Sequence, residues 1–260
     1  MELGLSGRRA VITGGSKGIG FAIASELARE GAHVAICSRN EGELAGAAQQ
    51  LREYGTTVYA QAADVTRPDQ VADFLAAAAS AMGGIDILVN NAGAAHPGTF
   101  AMLTDEDWQD DLDVKLFSQI RCTRAALGHL RQSAAPRVVN INAVYAKYPD
   151  YKFFATTVNR AACLNFSKAL AMELGPEGIL VNSVNIGFVV TPQWENIRSK
   201  RAPELSPDEF FRQWAAEEVP LQRFGDVSEV SGIVAFLASD RASYITGASI
   251  DVAGGMGKYV

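Results

Sequence analysis

The chain has 260 residues, 48% of them hydrophobic and 20% charged, with a formal net charge of −6. That balance supports a sizeable core and argues against bulk disorder, and an acidic chain without a basic stripe is not patterned for nucleic acid. Apolar runs are strand-length or broken by charge, so no membrane partner is expected; residues 1–9 lack the apolar core of a signal peptide, so a cytoplasmic location is expected.

In chain order, residues 9–13 read as a buried strand and 20–30 as an amphipathic helix ended by Gly31. Strands at 33–37, 57–62 and 85–89 alternate with helices at 41–54 and 70–82. A long helix at 105–132, a strand at 137–141, a second long helix at 153–174 and a strand at 180–184 follow, with a last strand at 249–252. Two later helix starts are signalled by caps: Ser206-Pro207-Asp208-Glu209 and Asp226-Val227-Ser228-Glu229 each place an acid three residues after the cap. Apolar strands alternating with helices predict an α/β chain, a doubly wound parallel sheet of about seven strands with helices on both faces. No linker, repeat or low-complexity stretch divides it, so a single domain over 1–260 is expected, with a substrate lid around 193–220. Cys37, Cys122 and Cys163 lack metal or redox spacing and read as small hydrophobes in a reducing compartment; no metal site is expected.

Between the first strand and first helix lies Thr13-Gly14-Gly15-Ser16-Lys17-Gly18-Ile19-Gly20. Glycines there let the backbone turn tightly and approach a pyrophosphate, which the helix N-terminus then meets with free N–H groups. This is the phosphate cradle of a Rossmann-type dinucleotide site. Arg39 stands 19 residues after Gly20, just past the second strand, where an acid would bind a ribose 2′-hydroxyl. Cys37-Ser38-Arg39-Asn40 contains no acid, Arg39 suits a 2′-phosphate, and Lys17 is a second cation on that side, so NADP(H) is expected over NAD(H).

These residues resemble the classical short-chain dehydrogenase/reductase family. Besides the glycine turn, Asp64-Val65 is similar to the pair that contacts adenine, and Asn90-Asn91-Ala92-Gly93 matches the family's NNAG motif. Ile245-Thr246-Gly247 and Asp251-Val252-Ala253-Gly254-Gly255 resemble the end of its fold, so the likeness spans nearly the whole chain. The resemblance implies that Gly14, Ser16, Ile19, Ser38, Asp64, Val65, Asn91, Ala92, Gly93, Gly187 and Val189 contact the cofactor together with Lys17 and Arg39. It also implies a homotetramer or homodimer built on the two long helices.

The family's chemistry uses Asn, Ser, Tyr and Lys, and here all four positions differ. The helix Thr156-Thr157-Val158-Asn159-Arg160 aligns with the family's YxxxK helix, putting Thr156 for Tyr and Arg160 for Lys; Ala143 stands for Ser and Lys115 for Asn. A phenol titrates near about 10 and can be pulled lower by a cation, whereas a Thr hydroxyl does not ionise comparably and Arg is a poor proton shuttle that can still bond the ribose. Losing a positioned general acid typically lowers a rate by about 10² to 10⁴. Tyr148 and Lys152 spell YxxxK literally, but Pro149 and Asp150 between them suit a turn, and that register breaks the spacing to the next strand.

His96, Tyr145, Tyr151 and Trp194 are candidates for the substrate end, and the aromatic content of 193–220 suits an apolar or aromatic small molecule. Lys115 reads either as a salt-bridged residue, with Asp111 or Asp113, or as a base, a Schiff-base former or a ribose ligand. Three functions stay open. One is an NADP(H)-binding oxidoreductase of a carbonyl or alcohol with a non-standard proton donor; the second is a cofactor-binding regulator or scaffold without turnover. The third is a non-redox enzyme using Lys115.

Overall fold

A computed structural model describes residues 2–257 of the chain; Met1 and residues 258–260 of the expected domain lie outside the described residues. Its centre is one parallel sheet of seven strands: β1 (Arg9–Thr13), β2 (His33–Ser38), β3 (Val58–Ala62), β4 (Ile87–Asn90), β5 (Arg137–Ala143), β6 (Leu180–Ile186) and β7 (Ser249–Val252), in the order β3-β2-β1-β4-β5-β6-β7. Alternation places Ala10 and Ile12 of β1 on one face and Val11 on the other, and each face meets its own apolar layer. The first layer is closed by α1 (Gly18–Arg29), α2 (Glu41–Arg52) and α9 (Val227–Ala238). The second is closed by α3 (Pro68–Met82), α5 (Ser118–Leu130) and α6 (Phe154–Leu174). This is the expected single-domain Rossmann fold, a doubly wound α/β sheet.

Strand order reverses between β1 and β4, which opens a crevice at the carboxyl ends of the strands. The glycine turn enters this crevice from β1, and the long helices approach it from β4 and β5.

The helix expected over 105–132 is not continuous. It divides into α4 (Asp105–Leu112), a π-helical turn (Asp113–Phe117) and α5. The wider turn carries Lys115 into the interior, 1% exposed. The region 193–220 forms two helices, α7 (Pro192–Arg201) and α8 (Pro207–Glu218), over a third apolar cluster that includes Phe188, Phe210, Phe211 and Phe224. Ser206 and Asp226 form the expected capping boxes of α8 and α9. All three cysteines are free and buried, and burial pushes the Cys37 thiol up to about 12. Among the described residues no helix is long and apolar enough to cross a membrane.

Candidate cofactor and catalytic site

The β1–α1 turn is built around backbone contact. Gly14 and Gly18 hold positive φ of 66° and 56°, and a Cβ on Gly20 would collide with the Gly14 carbonyl and the Asn91 amide. Asn91 Nδ2 donates to the Thr13 carbonyl at 2.9 Å and the Gly14 carbonyl at 3.1 Å, while Thr13 Oγ1 accepts the N–H groups of Asn91 and Ala92, each at 3.0 Å. The motif after β4 therefore clamps the turn. Helix α1 starts without a side-chain cap, so its first-turn N–H groups face the crevice ready for an anion.

The crevice holds a cavity of about 490 Å³ that runs from this turn to the start of α6. Every residue assigned above to the cofactor lines it, including Arg39 at one end and Gly93, Arg160, Gly187 and Val189 at the other. The two cations near the second strand differ. Lys17 pairs with Glu43 at 2.7 Å, which offsets its charge, whereas exposed Arg39 makes no ion pair among the described residues. Asp64 lines the wall with its Oδ1 accepting from Thr66. The uncapped helix, the glycine cradle and the free guanidinium fit a dinucleotide carrying an extra phosphate.

At the far end, Ala143 terminates β5, and Thr156 and Arg160 stand one turn apart on α6; all three line the cavity. Lys115 does not. It forms a buried ion pair with Asp111 of α4, while Asp113 pairs instead with Arg121 at 2.7 Å. The alternatives that need Lys115 as a free amine in the cavity are thereby corrected: burial and the short i,i+4 reach within the widened turn deliver it to a carboxylate. Asp111 gathers two further groups, accepting from Asn159 Nδ2 at 2.8 Å and from Thr156 Oγ1 at 3.3 Å. Arg160 donates to the Ile141 carbonyl at 2.8 Å, its Nε has no partner, and its outer nitrogen lies 2.9 Å from where a Cβ on Gly93 would stand. Burial lowers the Arg160 pKa, and burial together with the Arg160 charge pulls Lys115 down to about 8 against the opposing pull of Asp111.

The tyrosines separate by geometry. Tyr145 lines the cavity, stacked on Phe153 with centroids 5.6 Å apart, and burial and Asp150 push its phenol above the ordinary range, making it a weaker acid. Tyr151 is 67% exposed and outside the cavity, which corrects its expected place at the substrate; Tyr148 and Lys152 lie in the turn before α6, as Pro149 and Asp150 require. His96 also stays off the wall, since Asp107 holds its Nε2 at 3.1 Å. Its backbone contributes instead, donating N–H to Thr156 Oγ1 at 3.1 Å. Trp194 lines the cavity and packs edge-on against Phe188 at 5.0 Å and Trp214 at 5.5 Å.

Sequence reasoning named Asp111 only as a partner for Lys115 and did not single out Asn159, Phe153 or Met256. The i−4 spacing to a lysine was the signal for Asp111. Asn159 and the cavity-lining Phe153 and Met256 are joined to the site only by tertiary packing.

The family described as Enoyl-(Acyl carrier protein) reductase matches residues 14–257. A 3-oxoacyl-(acyl-carrier-protein) reductase of Vibrio cholerae is 32% identical over 255 residues, covering 98% of this chain and 99% of that protein. Among solved structures, L-sorbose reductase from Gluconobacter frateurii, complexed with NADPH and L-sorbose, is 35% identical with a TM-score of 0.96 and 100% of both chains covered. An NADPH-bound short chain oxidoreductase from Pseudomonas aeruginosa PAO1, described as containing an atypical catalytic center, is 37% identical with a TM-score of 0.93, covering 99% of this chain and 100% of that one. A fold, a glycine turn and an NNAG clamp in this order, matched along nearly the full length, have one reading: the chain belongs to the short-chain dehydrogenase/reductase family.

Proposed function

We propose that the protein is an NADP(H)-dependent oxidoreductase acting on a carbonyl or alcohol of a small apolar or aromatic molecule, with a proton route that uses no tyrosine–lysine pair. One observation carries the reading: a single cavity joins the glycine cradle and the unpaired Arg39 to the end where Ala143, Thr156 and Arg160 meet. The NADPH bound by the sorbose reductase and by the Pseudomonas oxidoreductase supports it.

Gly14, Ser16 and Ile19 would hold the pyrophosphate at the α1 N-terminus. Ser38 and Arg39 would take the 2′-phosphate, Asp64 and Val65 the adenine, and Asn91, Ala92 and Gly93 the adjoining ribose wall. Arg160 would bond the nicotinamide ribose, and Gly187 and Val189 would leave room for the carboxamide. When bound, the cofactor supplies a hydride donor or acceptor. The chain supplies position and dryness: Tyr145, Phe153, Phe188 and Trp194 wall the substrate end, and α7, backed by α8 through the Trp194–Trp214 contact, acts as its lid. Val158 and Met172, exposed on α6, are apolar surface that a homodimer or homotetramer would cover. Three buried free thiols suit a cytoplasmic setting.

Fluorescence titration with NADPH and NADH, followed by absorbance at 340 nm during a panel of ketones and aldehydes, tests this reading. Tight NADPH binding with turnover is expected. Binding of neither cofactor overturns the reading.

A further inference from the structure

The family's proton donor is missing, yet the place where it would stand is wired to a buried charge cluster. Thr156 is 4% exposed and lines the cavity. Its hydroxyl lies 3.3 Å from Asp111 Oδ1, and that same carboxylate oxygen is the partner of Lys115 Nζ. Asn159 holds the other oxygen at 2.8 Å, which fixes the carboxylate plane. The His96 N–H donates to the Thr156 hydroxyl at 3.1 Å and holds its oxygen, while the single hydroxyl proton has two acceptors in reach, Asp111 Oδ1 and, at 3.4 Å, the His96 carbonyl. A continuous hydrogen-bonded path therefore runs from the cavity through Thr156 and Asp111 to Lys115.

We propose that Lys115, Asp111 and Thr156 form a proton relay that replaces the missing tyrosine, with Lys115 as the proton store, Asp111 as the bridge and Thr156 as the outlet to the substrate oxygen. This rests on the oxidoreductase reading above. A hydroxyl need not ionise to serve as an outlet, because it accepts on one side while donating on the other. In the reducing direction the carbonyl carbon gains a hydride. Its oxygen takes the Thr156 proton as Thr156 takes one from Asp111 and Asp111 takes one from Lys115. Lys115 ends neutral and is recharged by a solvent proton that passes back through Thr156 and Asp111 once the alcohol has left the cavity, so ketone, NADPH and one proton become alcohol and NADP⁺. The reverse sequence serves oxidation.

The charges around the store suit this role. Asp111 faces Lys115 from α4, Arg160 and Cys163 face it from α6, and Asp113 on its own turn is occupied by Arg121. Two cations against one carboxylate leave the cluster with excess positive charge in a dry site, which favours release of one proton near neutral pH.

The test compares wild type with Thr156→Val, which keeps shape and removes the hydroxyl, and with Thr156→Ser, which keeps the hydroxyl. Each is assayed by single-turnover oxidation of bound NADPH with 1-phenyl-1,2-propanedione as the probe. The relay predicts a loss of about 10²-fold or more in Thr156→Val with NADPH affinity retained, and recovery of most of that loss in Thr156→Ser. Lysine side-chain ¹⁵N resonances give a second readout without turnover. One lysine should titrate near about 8, vanish in Lys115→Met and move upward in Arg160→Met. Thr156→Val reducing the dione at the wild-type rate overturns the relay alone, as does a Lys115 that stays charged beyond pH 10. A wild type that does not bind NADPH overturns the oxidoreductase reading, and the relay falls with it.

Discussion

The Lys115–Asp111 pair makes a quantitative demand on stability that a double-mutant cycle reads directly. Both side chains are essentially inaccessible, at 1% and 0% exposure. Removing one partner of such a pair strands the other charge, at a typical cost of about 3–5 kcal/mol, whereas removing both is often near neutral. Lys115→Met and Asp111→Asn should therefore each lower unfolding free energy by about 3–5 kcal/mol, and the double variant should lie within about 1–2 kcal/mol of wild type. The pH dependence adds an independent check. Lys115 titrates near about 8 in the folded chain against 10.5 in its ordinary state, so between those values the unfolded chain binds more protons and stability rises with pH. At 1.36 kcal/mol per unit that window contributes about 3 kcal/mol in wild type and nothing in Lys115→Met. Lys115 is not among the charges that shift Tyr145, Cys37 or Cys122, so those groups cancel in the difference; Cys163, which the Lys115 charge pulls down against burial, is replaced by alanine in both proteins, and the difference then isolates the lysine. Urea melts at pH 7.5 and 10 measure it. Additive single effects, or a difference between wild type and Lys115→Met that is flat with pH, would refute the buried-pair reasoning.

The remaining predictions concern the rest of the cavity. Arg39→Ala should weaken NADPH binding by about 10- to 100-fold, the value of a charge-assisted bond of about 1.5–3 kcal/mol, and leave NADH nearly unchanged; Lys17→Ala should do less, because Glu43 already holds that ammonium. Equal effects from the two variants in a fluorescence titration would place the 2′-phosphate elsewhere. Gly20→Ala drives a methyl into the Gly14 carbonyl and the Asn91 amide, so it should abolish nucleotide binding and lower the melting temperature; a variant that still binds NADPH sinks the cradle geometry. Trp194→Ala removes edge-on contacts to Phe188, Trp214 and Phe224, together worth about 1.5–4.5 kcal/mol, and should speed proteolysis within α7, read by mass spectrometry of the fragments. Restoring Lys115→Asn, Ala143→Ser, Thr156→Tyr and Arg160→Lys should raise reduction of generic ketones, but only with Asp111→Asn included, since the carboxylate is otherwise stranded. An active four-residue variant that keeps Asp111 would show the carboxylate to be uncoupled from the site.

The sheet and the glycine turn were legible because their signals are local. Strand-length apolar runs, the spacing of Gly14, Gly18 and Gly20, and the cap patterns at Ser206 and Asp226 each act over a few residues. The break in the long helix was not legible, since Asp113–Phe117 carries no glycine, proline or capping signal to mark the π-helical turn that holds buried Lys115. The same holds for the candidate site. Thr156, Arg160, Ala143 and Lys115 could be placed by alignment with the family, and all but Lys115 reach the cavity. His96 was misplaced because Asp107, a helix-cap residue eleven positions on, captures its imidazole. Tyr151 was misplaced because the turn of residues 148–152 faces it outward.

The four substitutions are better understood as one rebuilt site than as four separate losses. A charged lysine buried at 115 needs an anion beside it, and Asp111 supplies it. A carboxylate buried beside one lysine still has acceptor capacity to fill, and Asn159 and Thr156 fill it. The short Thr156 side chain keeps its hydroxyl within reach of both the His96 backbone and Asp111, so the smaller residue belongs to the same arrangement. An arginine at 160 reaches further than lysine and passes close to Gly93, where a side chain would obstruct it. Random decay of a catalytic set would leave unpaired charges and holes. Here, among the described residues, Lys115, Asp111, Asn159 and Thr156 all have geometric partners; Arg160 Nε and Oδ1 of the neighbouring Asn142 do not, and the Arg160 guanidinium lines the cavity at the end away from Arg39. The arrangement favours a site with a different proton route over a nucleotide-binding fold that has lost its chemistry.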